Sequence, residues 1–174
     1  MMPTSVAQTP VSFTRVVSPV GTLLLLGNPV HGRLSLEGVY FADAPHAAGK
    51  LTGAREDAGL FAGFVDEQLM PWLAGERTSF EVALAPRGTP FQQQVWSALR
   101  AIPYGTTATY GAIARAIGRP EAVRAVGLAN GKNPLSIVVP CHRVIGSDGS
   151  LTGYAGGLPA KTALLALEQR VSGA

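Results

Sequence analysis

The stretch TPFQQQVWSALRAIPYGTTATYGAIARAIGRPEAVRAVGLANGKNPLSIVVPCHR, Thr89–Arg143, decides how the chain reads. Thr89-Pro90-Phe91-Gln92 supplies an N-cap, a proline at the first helical position and a capping-box glutamine. Phe91, Val95, Ala98, Leu99 and Ile102 recur at helical spacing and predict a buried stripe, ended by Pro103-Tyr104-Gly105. Thr109 is expected to cap a short helix from Tyr110 to Ile117, stopped by Gly118. Pro120 is expected to open a second, running to Asn130 and stopped by Gly131. Two short helices joined by a tight Gly-Arg-Pro turn make a helix-turn-helix pattern, which occurs in DNA-binding proteins and in plain helical bundles alike. Leu135 to Val139 is a continuous apolar run of strand length closed by Pro140. A polar turn at Ser147–Ser150, a glycine-rich loop around Tyr154 and a last helix opened by Pro159 complete the chain.

Upstream of Thr89 the pattern is different. Phe13 to Val17, Thr22 to Leu26 and Arg33 to Phe41 read as an antiparallel meander, with turns at Ser18–Gly21 and Gly27-Asn28-Pro29. Residues 42–56 are small, polar and glycine-rich and read as a loop. Phe61, Phe64, Val65, Leu69, Trp72 and Leu73 fall at helical spacing, with Pro71 expected to kink or end that helix early. Phe80 to Leu84 reads as one more strand. The expected division is a disordered tail over residues 1–11, an N-terminal α/β domain over 12–86 and a mostly helical domain over 87–174.

Composition narrows the class. Of the 174 residues, 47% are hydrophobic and 14% charged, so the chain can bury a core. A net charge of +3 permits contact with nucleic acid without arguing for it. The longest early apolar stretch, Leu23–Leu26, is too short to span a bilayer, and the N-terminus lacks the layout of a secretion signal. A single cysteine excludes an internal disulfide and a multi-cysteine metal site, and points to a reducing, cytoplasmic location.

That cysteine, Cys141, follows the apolar run and is flanked by His142 and Arg143. A lone cysteine is most often a buried structural residue. Two basic neighbours, however, would lower a thiol pKa from about 8.5 toward neutrality and populate the thiolate. A base needs an orienting acceptor, and His142 is the adjacent base. Neighbours on an extended chain point to opposite faces, so contact requires a bend or an intervening water. Glu168 and Asp148 are rival carboxylates that spacing does not separate, and a Cys-His-acid trio would also serve a hydrolase.

Pro140-Cys141-His142-Arg143-Val144, preceded by Ile137-Val138-Val139, resembles the active-site signature of the O6-alkylguanine-DNA alkyltransferases. The likeness extends over Thr89 to Arg170, through Phe91–Trp96, Ile102–Gly105, Arg124–Gly127 with Asn130, Asn133-Pro134 and Gly153-Tyr154 with Gly156-Gly157. Residues 12–84 are similar in layout to the family's small N-terminal domain, a ribonuclease H-like roll. The resemblance implies an α/β fold and a single-turnover repair activity on double-stranded DNA carrying O6-alkylguanine, with O4-alkylthymine a further substrate left open. It makes Cys141 the alkyl acceptor, His142 its base through a water, Glu168 the carboxylate orienting His142, and Tyr110 both a phosphate contact and the proton donor. Arg124 would fill the stack left by the flipped nucleotide, with Ala125, Gly127 and Asn130 on the same DNA-binding helix. Asn133 would tie that helix to the active-site segment. Tyr154, Ala155, Val144 and Ser147 would line or support the base pocket. Some relatives carry a serine where this chain has Ala155, which removes one hydrogen bond to the base oxygen.

The product would be a thioether, which water has no ready route to cleave, so the protein would act once. No cofactor is expected, and no metal, since residues 1–86 lack the cysteine found at the zinc site of some relatives. His31 and His46 read as surface residues, and Trp72 and Trp96 as core. No dimerisation stripe is present, so a monomer is expected, with cooperative binding along DNA left open. Three other classes stay in view: a non-catalytic damage-flagging relative, a cysteine hydrolase and a helix-turn-helix regulator.

Overall fold

Three long antiparallel strands form the N-terminal sheet: β1 (Ser12–Ser18), β2 (Gly21–Val30) and β3 (Arg33–Phe41). The computed structural model describes residues 10–45 and 47–173. β2 is central, and Leu23, Leu24, Leu25 and Leu26 are all buried, so this strand reads as a run rather than an alternation. The turn expected at Gly27-Asn28-Pro29 lies four residues further on. His31 and Gly32 form the two-residue hairpin, with φ of 49° and 74°, which suits the right-handed twist of the strands. Gly27 instead marks a bulge, where a Cβ would stand 2.4 Å from the Ser35 carbonyl oxygen.

The sheet is mixed rather than purely antiparallel. Two-residue strands β4 (Arg55–Glu56) and β5 (Ala83–Leu84) pair parallel to β1 and β3, giving the order β4-β1-β2-β3-β5. The segment expected as a loop thus carries β4 and a single 3-10 turn at Ala48–Leu51. Phe80 stays outside β5 and stacks on Trp72 at 5.6 Å. α1 (Ala58–Phe64) is capped by Asp57, passes into a π-helical turn at Val65–Leu69, and continues as α2 (Met70–Ala74). Pro71 therefore does not end the helix. The wide turn sends the Met70 N–H to the Val65 carbonyl, which shifts the carbonyl that the proline ring would otherwise strike.

In the C-terminal half, α3 (Pro90–Arg100) carries the expected reciprocal cap between Thr89 and Gln92. α4 (Tyr110–Ala116) is capped by the Thr109 hydroxyl, which accepts from the Ala112 N–H. α5 (Val123–Gly131) begins later than expected from Pro120, because an Ala122 N–H to Arg119 carbonyl bond of 2.9 Å closes a turn there first. β6 (Ala108–Thr109) and β7 (Val144–Ile145) form a parallel pair, and α6 (Gly157–Ser172) packs last. One core runs from Leu25, Val39 and Trp72 to Val95, Leu135 and Leu164.

Residues 1–9 of the expected tail, and His46, lie outside the described residues. Val11 packs against the core, and its carbonyl accepts from the Arg55 N–H at 2.9 Å. His31 is exposed, and Trp72 and Trp96 are buried. Among the described residues no helix is long and apolar enough to cross a membrane.

Candidate active site and DNA-binding face

Leu135–Val139 is not a strand. Leu135 makes one isolated parallel bridge to Val39: the Val39 N–H donates to the Pro134 carbonyl at 2.8 Å and the Ser136 N–H to the Val39 carbonyl at 3.0 Å. Beyond it the chain coils tightly, with the Val139 N–H returning to Leu135 and Ile137 left-handed at φ 72°. A β-branched residue there costs about 1–3 kcal/mol, so its surroundings must hold it in place. Asn133 does part of this, as its Nδ2 donates to the Val139 carbonyl at 2.9 Å and its Oδ1 accepts from the Leu135 N–H at 3.0 Å. Cys141 consequently begins a single 3-10 turn, Cys141–Arg143, which supplies the bend an extended chain would lack.

Cys141 and His142 are both buried. Burial pushes the Cys141 thiol up, while the Asn133 amide and the Lys161 ammonium pull it down by less. The expected lowering by His142 and Arg143 is thus corrected: Arg143 is committed elsewhere and the resting group is a thiol. His142 Nε2 lies 2.7 Å from Glu168 Oε1, and its Nδ1 is buried without a hydrogen-bond partner. Burial also lowers the pKa of His142, only partly opposed by Glu168, so the ring is neutral near pH 7. With the carboxylate ionised, Nε2 carries the proton and Nδ1 presents a lone pair.

Glu168 wins over Asp148. Burial alone would raise its pKa, but hydrogen bonds from His142 and Arg143, and one from the Gly105 N–H, bring it to about 2. Arg143 donates from Nε at 2.9 Å to Oε2 and from Nη2 at 2.8 Å to Oε1, and from Nη1 to the Ile102 carbonyl. Asp148 is exposed and bonds only locally, to Ser150.

Around this trio, Tyr154 meets the His142 ring edge-on at 6.4 Å and has a buried hydroxyl without a partner. Burial, followed by the nearby Cys141, raises that hydroxyl well above its ordinary pKa and keeps it protonated. Val144 is buried in β7, whereas Ser147 is exposed on the turn at 146–150. Ala155 is exposed on the loop.

The helix-turn-helix presents a second cluster. Arg124, Ala125 and Leu128 are exposed on α5, with Leu128 at 70%. Gly127 lies beneath Tyr110, where a Cβ would stand 3.8 Å from the ring, and the Tyr110 hydroxyl is 2.6 Å from the Thr152 hydroxyl. Asn130 does not join that surface. It follows Val126 by one helical turn and is buried with it, so its expected place among the DNA contacts is corrected. Trp96 Nε1 donates to the Ala129 carbonyl at 2.9 Å and fixes α5 to α3.

Residues 90–170 match the sequence profile of the 6-O-methylguanine DNA methyltransferase DNA-binding domain. A methylated-DNA–protein-cysteine methyltransferase of Mycolicibacterium paratuberculosis is 52% identical over 163 residues, covering 93% of this chain and 94% of the relative. The chain belongs to the methylated-DNA–protein-cysteine methyltransferase family. A member from Methanosarcina acetivorans is 48% identical, over 87% of this chain and 94% of its own. The crystal structure of the Mycobacterium tuberculosis O6-methylguanine methyltransferase superposes with a TM-score of 0.84 at 49% identity, covering 92% of this chain and 93% of that one. The M. tuberculosis protein in complex with DNA gives 0.84 at 48%, covering 92% and 94%.

In this member of the family, the sequence reading gave Arg143 a different role and did not single out Thr152 or Lys161. Arg143 clamps the carboxylate. Thr152 holds Tyr110. Lys161 is buried, with Nζ donating to the carbonyls of Val144 at 2.6 Å and Thr152 at 3.2 Å. The signal for Lys161 was its position: Lys161, Leu164 and Glu168 share one face of α6, and a lysine in an apolar stripe must find acceptors.

Proposed function

We propose that this protein repairs O6-alkylguanine in DNA by direct reversal, moving the alkyl group irreversibly to Cys141. The observation that carries the reading is the buried Cys141-His142-Glu168 arrangement, in which Glu168 holds one imidazole nitrogen and leaves the other unpartnered. A base in a duplex is out of reach of a buried thiol, so the damaged nucleotide must be flipped out, at a cost of a few kcal/mol. Arg124 fills the gap, Ala125 and Leu128 lie against the duplex, and Tyr110 presses on the adjoining phosphate. Tyr154, Ala155 and Val144 receive the base, and Ser147 lies at the rim.

The Cys141 proton passes through a water to His142 Nδ1, and Glu168 stabilises the resulting imidazolium. Sulfur attacks the alkyl carbon in line, the S–C bond forms and the C–O6 bond breaks. Tyr110 protonates the departing guanine and regains its proton from His142 through solvent. The net change is thiol plus O6-alkylguanine to thioether plus guanine. Thiol protonation at rest protects the acceptor until substrate fills the site.

The partner is double-stranded DNA containing the lesion, bound by a monomer in the cytoplasm, on the nucleoid if the cell is bacterial. Segments 12–86 and 87–174 act as one unit through their shared core. Restoration of guanine in a duplex carrying O6-methylguanine, read by nucleoside chromatography with Cys141→Ala as control, tests the proposal. Tight lesion binding without restoration would favour a damage-flagging protein.

A further inference from the structure

β3 ends in Phe41, whose buried ring lies against the loop that carries Tyr154. The two ring centroids are 5.5 Å apart at 73°, edge to face. A Cβ on Gly156 would stand 2.6 Å from Cζ and 2.7 Å from Cε1 of the same Phe41 ring, so only glycine lets the loop seat on it. In the same strand, Val39 holds the segment leading to Cys141 through its bonds to Pro134 and Ser136. β3 therefore braces both walls of the thiol site, one through its backbone and the other through the Phe41 ring.

We infer that Phe41 is a positioning residue that sets the depth of the alkyl pocket and so the size of alkyl group Cys141 accepts. The inference rests on the alkyl-transfer reading above. Sulfur and alkyl carbon must meet in line at about 3–3.5 Å, and misplacement by ~1 Å costs up to about a hundredfold in rate. Phe41 is buried, and its ring supports the loop at both Tyr154 and Gly156. A shorter side chain would let residues 154–157 retreat, holding a methyl group less well while giving a longer chain room.

Single-turnover transfer rates are measured for wild type, Phe41→Leu, Gly156→Ala and the double variant, on duplexes carrying O6-methyl-, O6-ethyl- or O6-butylguanine. Duplex affinity is measured separately. Phe41→Leu is expected to slow methyl transfer about tenfold, to raise the butyl-to-methyl rate ratio several-fold and to leave affinity unchanged. Gly156→Ala alone slows all three substrates. In the Phe41→Leu background its effect shrinks to within about threefold, because the shorter side chain clears the added Cβ. Phe41→Met, which is close in volume and flexible, keeps the test open if Phe41→Leu folds poorly, and is expected to raise the ratio less. Equal slowing across the alkyl series in either Phe41 variant, or additive effects in the double variant, would overturn the inference. Wild type transferring no alkyl group would overturn the repair reading instead.

Discussion

The Nε2 atom of His142 lies 2.7 Å from Oε1 of Glu168, with both side chains fully buried. Arg143, the next residue in sequence, grips the same carboxylate from the other side. One 3-10 turn thus carries Cys141, His142 and the Arg143 cation that keeps Glu168 ionised. Ionised Glu168 fixes the tautomer that leaves His142 Nδ1 free to accept a proton.

Arg143→Ala leaves Glu168 charged and underpaired in the interior. It is expected to lower stability by about 3–5 kcal/mol, measured by urea unfolding. The double variant Arg143→Met with Glu168→Gln should recover much of that loss while remaining slow in transfer. A single variant within ~0.5 kcal/mol of wild type would contradict the clamp.

Stability should fall on both sides of a plateau between pH 6.5 and 9. Glu168 sits at about 2 against an ordinary 4.5, so the unfolded chain takes up its proton first. Its contribution, on the order of 3 kcal/mol, is complete above pH 4.5 and is lost as pH falls toward 2. Burial lowers His142 below its ordinary 6.5, so the unfolded state also binds the extra proton there, and stability already declines below that pH. Burial raises the Cys141 thiol above 9.0, so the unfolded state loses that proton first and stability declines again in alkali. Urea midpoints across this range test the shape, and Glu168→Gln should flatten the limb below pH 4.5.

Lys161→Met removes the ammonium that pulls the Cys141 pKa down. The pH profile for alkylation of the thiol by a small haloacetamide should move to higher pH. A profile unchanged from wild type would mean that Lys161 serves only the carbonyls of Val144 and Thr152.

Tyr110→Phe and Arg124→Ala separate chemistry from flipping. Tyr110→Phe should cut the transfer rate by about 10²–10⁴ if its hydroxyl supplies the proton, with duplex binding largely retained. Arg124→Ala should weaken lesion capture, with a fluorescent base beside the lesion reporting less flipping. Equal transfer rates in Tyr110→Phe and wild type would remove the tyrosine from the proton path.

Local chemistry carried most of the fold into the sequence. The Thr89–Gln92 cap and the Thr109 cap are set by side chains within four residues and appear as read. Gly27 misled because a bulge and a turn both favour glycine, and only the register across to β3, which shifts at Gly27 so that it faces Leu36, distinguishes them. Leu135–Val139 misled because a buried coil is as apolar as a buried strand; what shapes it is the side chain of Asn133, which periodicity cannot register. The choice of Glu168 over Asp148 depended on where α6 packs, a long-range fact. Asn130 fell on the buried face because it lies four residues after Val126, on the side of α5 that packs inward.

The most direct test is peptide mass after mixing the protein with a duplex carrying one O6-methylguanine, beside Cys141→Ala. A single methyl increment on the Cys141 peptide, saturating at one per protein and absent from the variant, is the predicted result. No increment on Cys141 in protein that binds the lesion, or continued turnover beyond one equivalent, would contradict the account.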